Sequence, residues 1–195
     1  SKVFSDVDPD RMFVTARGTG GSPLSWSTEH AGLSVFDISG ESAASPRLVD
    51  RWAPEGGTRA LEGIDRCASL LAVVGISDGT LYLLNASCVR CGPLGSLKLS
   101  VNHALHVRLA FVPDDSATAT PWGGCGGGRR GRLFALVTSG FAYHFIPGVW
   151  ANSLLAVDVT EPARPVEVAK LDDLPSQPEG VYVHGAFAYV GGCSG

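Results

Sequence analysis

The sequence predicts an all-β protein built from one repeated four-stranded unit. Three observations predict it. Short apolar runs are punctuated by 25 Gly and 12 Pro in 195 residues, which is how all-β folds are divided into strands and turns. Three segments share one pattern, an apolar strand that ends in Asp or Asn, one apolar residue, then Ser or Thr. No segment sustains the 3.6-residue period of a helix.

The repeat is read first on its ending. Leu33-Ser34-Val35-Phe36-Asp37-Ile38-Ser39, Leu81-Tyr82-Leu83-Leu84-Asn85-Ala86-Ser87 and Leu155-Ala156-Val157-Asp158-Val159-Thr160 are the three copies. Asp, Asn, Ser and Thr side chains bond nearby backbone N–H groups and so start a turn where a strand stops. A further strand follows each copy: Pro46 and then Arg47 to Trp52, Pro93 and then Leu94 to Leu99, Pro165 and then Val166 to Leu171. In the last of these Val166 and Val168 alternate with polar neighbours, the mark of a half-buried strand.

A second series precedes the first. Met12-Phe13-Val14-Thr15-Ala16, Leu71-Ala72-Val73-Val74-Gly75, Phe134-Ala135-Leu136-Val137-Thr138 and Phe187-Ala188-Tyr189-Val190-Gly191 match one another. They read as strands covered on both faces. Just before them come Glu62-Gly63-Ile64, His103-Ala104-Leu105 and Glu179-Gly180-Val181. The spacing from Asp37 to Asn85 is about 48 residues, and repeats of about 40–50 residues with four strands are those of a propeller blade. The spacing from Asn85 to Asp158 is longer, because two insertions, Pro113–Arg132 and Gly140–Ala151, interrupt that unit.

Leu154 to Val166, with its strand, Asp158, Thr160 and Pro162-x-x-Pro165 turn, resembles the LVIVD repeat. Gly185-Ala186-Phe187-Ala188-Tyr189-Val190 looks like the next strand of the same repeat. The second copy departs from it, with Asn85 for Asp and Cys88-Val89-Arg90-Cys91 where the turn prolines belong. The resemblance covers most of the chain outside the insertions. It implies a β-propeller, a family often found in extracellular or cell-surface proteins, with no general activity. The expectation is about three complete blades plus part of a fourth, read as a fragment of a larger propeller. The alternative is a compact four-bladed ring in which the N-terminal strands complete the last blade.

Composition narrows the function. The net charge is −4, and the single basic cluster, Arg129, Arg130 and Arg132, is too small to neutralise a phosphate backbone, so nucleic acid is not the expected partner. The longest apolar run, Leu70 to Ile76, is far short of a bilayer span of about 20 residues. Five cysteines leave the compartment open. Cys88-x-x-Cys91 lacks the second pair that zinc would need; two reduced thiols are the plainer expectation, a small surface disulfide the other. The Gly123–Gly128 run lacks the Lys-Ser/Thr of a phosphate loop and reads as a surface insertion. Asn85-Ala86-Ser87 fits a glycosylation acceptor, yet a turn role suits the repeat better. Trp122 and Trp150 lie in the insertions, where binding residues tend to sit, whereas Trp52 ends a strand and reads as packing.

One site candidate comes from the register. Glu62, His103 and Glu179 occupy one place in three successive units, ahead of a strand that would line a propeller channel. Carboxylate and imidazole could hold a divalent metal there or supply acid–base groups. The simpler reading makes them solvated turn residues, and a one-residue slip would put Asn102 or Ala104 in place of His103. His103 and His106 point to opposite faces of a strand and make a poor chelate. The leading function is therefore a non-enzymatic module for binding or scaffolding, its protein or small-ligand partner held on a face carrying loops 113–132 and 140–151. The alternative is a metal-assisted hydrolase or lyase at the channel mouth.

Overall fold

The computed structural model describes residues 2–4, 10–16, 31–40, 44–55, 60–76, 78–114, 129–140, 152–184 and 187–193. Within them the chain is all-β, with antiparallel strands in four sheets. The first sheet is β1 (Lys2–Phe4), β2 (Arg11–Ala16), β3 (Gly32–Asp37) and β4 (Arg47–Trp52). The second is β5 (Leu61–Cys67), β6 (Leu70–Gly75), β7 (Thr80–Asn85) and β8 (Pro93–Lys98). The third is β9 (Ala104–Pro113), β10 (Gly131–Ser139), β11 (Ser153–Asp158) and β12 (Val166–Leu171). The fourth is a hairpin of β13 (Gln177–His184) and β14 (Phe187–Cys193). Each sheet runs in sequence order, and the leading strands β1, β5, β9 and β13 contact one another in that order. Among the described residues no helix is long and apolar enough to cross a membrane.

The strand β1 pairs with β2, Val3 opposite Val14. The N-terminal strand therefore belongs to the first sheet and is not the piece that would complete the fourth. The second correction concerns the insertions. Pro113 pairs with Gly131 at one end of the third sheet, and Ser139 pairs with Ser153 at the other. The connections after β9 and after β10 thus leave from opposite ends of the sheet, as successive connections of an antiparallel meander must, and not from one end as a common loop face would have it. Residues 115–128 and 141–151, with Trp122, Trp150 and the Gly123–Gly128 run, lie outside the described residues.

Packing between sheets explains the apolar runs. β6 is buried along its whole length because both its faces are covered. Leu71 and Val73 join Phe13, Leu33 and Val35 of the first sheet in one core. Leu70, Ala72 and Val74 join Leu133, Ala135, Val137, Leu155 and Val157 of the third in another. Burying each Leu or Val contributes about 1.5–3 kcal/mol, so these two seams carry most of the cohesion. The last strands are wet by contrast, with β8 and β12 largely exposed.

The turn after each third strand forms as the residue types predict. Asp37 Oδ1 accepts from Ser39 N–H at 3.0 Å, Asn85 Oδ1 from Ser87 N–H at 2.9 Å and Asp158 Oδ1 from Thr160 N–H at 2.9 Å. The residue between them bonds back to the sheet: Ala86 N–H to Ser69 O and Val159 N–H to Leu133 O, both 2.8 Å. Asn85 is thus occupied in a turn.

Candidate docking surface

The residues singled out by register fall in different environments. Glu62 is the second residue of β5 and is buried at 5% exposure; its backbone carbonyl accepts from Thr15 Oγ1 at 2.7 Å. His103 precedes β9, and its Nδ1 donates to the Ile76 carbonyl at 2.8 Å. Glu179 is exposed in β13, where its carboxylate accepts from Gln177 Nε2 at 3.1 Å. Pairing irregularities set the register. They fall at residues 62–63, at Leu105 and at Glu179, so the counterpart of Glu62 in the third sheet is Leu105. His103 lies two residues earlier, a slip that strand bulges hide from sequence alignment. Among the described residues no three His, Cys, Asp or Glu side chains gather closely enough to hold a metal ion.

The repeated contact lies elsewhere, where the turn of one sheet seats on the last strand of the sheet before. In β4, β8 and β12 a bulge is followed by Asp50, Gly95 and Ala169, paired with Val35, Leu83 and Ala156 respectively. At the first seat Asp50 takes the Arg90 guanidinium at 3.6 Å and the Arg90 N–H at 3.5 Å. Arg90 belongs to a single 3-10 turn, Val89–Cys91. At the second seat the Pro162-Ala163 backbone lies directly on Gly95, with Ala163 Cα 3.1 Å from where a Cβ would stand. The two turns are equivalent: Cys91 N–H bonds Cys88 O at 3.2 Å, and Arg164 N–H bonds Glu161 O at 2.8 Å. Val89 and Pro162 are the buried residue of each.

Among the described residues no turn sits on the third seat. Ala169 is exposed, and Val166 and Leu171 beside it on β12 are 55% and 58% exposed. A cleft of about 430 Å³ opens next to it, lined by Arg132, Asp158, Thr160, Glu161, Arg164, Val166 and Val168. Its charges are partly mated, Arg132 standing 3.6 Å from Asp158 and 4.0 Å from Asp114. The fourth sheet carries exposed aromatic surface as well. Tyr182 pairs with Tyr189, and Phe187 lies 6.5 Å from Tyr189 ring to ring, so the three aromatics share one face. They are 58%, 56% and 69% exposed for Tyr182, Tyr189 and Phe187.

One buried polar atom marks the same boundary. Thr138 stands in β10 where Thr15 stands in β2, each paired one residue before the strand meets its last partner. Thr15 Oγ1 donates to the carbonyl of Glu62, at the bulge of the next sheet. Thr138 Oγ1 is buried without a partner, and the counterpart bulge is Glu179. Unsatisfied buried hydroxyls are rare in native folds.

Electrostatics reinforce the turns. Ser39, through its hydroxyl and its N–H, and then Arg47 hold the Asp37 carboxyl down at about 2. Ser153 and then Lys170 lower that of Asp172. Trp52 packs edge-on against Tyr82 at 5.1 Å, as its strand-end position predicts. The Cys88 and Cys91 thiols are joined as a disulfide, which overturns the expectation of two reduced thiols; spacing alone does not distinguish the two states. Cys67 is disulfide-bonded as well.

No curated protein matches the chain. Residues 137–173 match the family model of the LVIVD repeat. They run from the end of β10 through β11, the Asp158–Thr160 turn and β12. By that match this stretch carries an LVIVD repeat.

Proposed function

We propose that this chain is an arc of a larger β-propeller and acts as a non-enzymatic module that binds and scaffolds protein. The observation that carries the proposal is the third seat, on which no turn sits among the described residues. The chain uses this contact twice, at Asp50 and at Gly95, to hold a following sheet. The equivalent Ala169, with Val166, Leu171 and the Tyr182/Phe187/Tyr189 face, is open to solvent. Exposed apolar surface of this kind favours a macromolecular partner over a small solute. The occupant is a further β-sheet whose turn carries a buried Pro or Val, as the first two occupants do. Disulfide-bonded cysteines support an oxidising compartment.

A photo-crosslinking amino acid placed at position 169 of the protein in its natural cells tests this. Cross-links to a β-rich segment, in the same polypeptide or in another, are expected, at a yield matching a control at exposed Ala163, in the turn that sits on Gly95. A probe at 169 that reacts only with solvent while the control cross-links would overturn the proposal.

A further inference from the structure

We infer that the Cys88–Cys91 disulfide is a redox-sensitive latch that holds the second sheet on the first. The third sheet closes its turn with Pro162 and Pro165, and proline limits the chain before any contact forms. The second sheet keeps the later one as Pro93 but lacks the first: Val89 stands in place of Pro162, and Gly92, at φ +84°, precedes Pro93. Its turn is closed instead by a covalent bond across the residues whose counterparts Glu161 and Arg164 are joined by a backbone hydrogen bond alone.

What this turn holds is an inter-sheet contact. Val89 is fully buried in the core shared with Phe13, Leu33 and Val35. Arg90 pairs with Asp50, whose side chain is only 15% exposed. Arg11 of the first sheet donates to the Ala86 carbonyl at the start of the turn, at 3.4 Å. The disulfide itself is within reach of solvent, since Cys91 is exposed and Cys88 half-buried. A dithiol reductant attacks the exposed Cys91 sulfur, breaking the S–S bond and releasing Cys88 as thiolate. The second thiol of the reductant then displaces Cys91. Two electrons and two protons pass to the chain, which gains two thiols, and the reductant leaves as its cyclic disulfide. The freed turn, with a glycine and without a proline at position 89, loses its preference for the seated conformation, and Val89 and Arg90 leave the β4 seat.

Hydrogen exchange of the folded chain, with and without dithiothreitol, tests the latch. A Cys88→Ser/Cys91→Ser variant separates it from the linkage at Cys67. Exchange in residues 47–52 and 86–93 should accelerate about tenfold in both cases, while residues 153–158 keep their protection. Val89→Pro in the double-serine background restores the proline of the third turn and should recover protection without a disulfide; Cys88, at φ −151° and ψ 79°, lies outside the α region that a following proline disfavours. Unchanged exchange in 47–52 after reduction would overturn the inference. So would an equal rise across the first three sheets that Val89→Pro does not reverse.

Discussion

Substituting Gly95 by alanine probes the seat at its tightest point. A Cβ at this position runs into the Pro162 carbonyl oxygen and meets Pro162 C and Ala163 Cα at 3.1 Å. All three are backbone atoms, so no side-chain rotation relieves the contact and the two sheets must part locally. Overpacking of this kind costs about 1–3 kcal/mol. Alanine's advantage over glycine in an extended strand returns about 0.5–1 kcal/mol. The net loss is about 1–2 kcal/mol, a fall in Tm of about 2–8 °C for a chain of this size. The matched control is Ala169→Val, at the equivalent position of β12. Among the described residues no turn sits on it, so the change should stay within about 0.5 kcal/mol. Thermal and urea unfolding followed by circular dichroism measure both. Equal stability of the two variants would refute the reasoning, because seat and turn would then contribute nothing to docking.

Other predictions follow from the same contacts. Thr15→Val removes the donor to the Glu62 carbonyl and should cost about 1–2 kcal/mol, whereas Thr138→Val removes a hydroxyl without a partner and should be neutral or stabilising; chemical denaturation compares the pair. Asp65 is buried at 3% exposure and accepts from Leu109 N–H at 2.6 Å across the second and third sheets, so Asp65→Ala should lose about 1–3 kcal/mol by stranding that N–H, read as a shift in urea midpoint. The Asp37 carboxyl lies lower in the folded chain, at about 2, than its ordinary 3.8. Its contribution is therefore complete above pH 3.8 and is lost as the pH falls towards 2; in acid titrations of stability, Asp37→Asn should flatten the curve in that window and leave its shape above pH 5 unchanged.

Much of the fold was legible because the repeat signals are local. Asp37, Asn85 and Asp158 each bond the N–H two residues on, and such a turn needs no distant partner to be recognised. The continuous run Leu70 to Gly75 announced a strand covered twice. The strand Lys2–Phe4 was not legible, since three residues carry no periodicity and its place depends on pairing with β2. The candidate trio of Glu62, His103 and Glu179 rested on counting residues across units, and bulges at 62–63, 105 and 179 defeat such counting. The idea of a common loop face ignored the alternation of ends in a meander. The seat could have been suspected from Asp50, Gly95 and Ala169 alone only if the bulges before them had been known. Its chemistry is shape and backbone contact, which leave no residue motif.

Nitration of the tyrosines tests the docking surface most directly. Tyr82 is buried at 4% exposure, while Tyr182 and Tyr189 are 58% and 56% exposed. In the isolated chain, tetranitromethane should modify Tyr182 and Tyr189 and spare Tyr82. In the protein taken from its natural cells with its associations intact, all three should be spared, because a further sheet covers the aromatic face. Full reaction of Tyr182 and Tyr189 in that native material, equal to the isolated chain, would contradict the account.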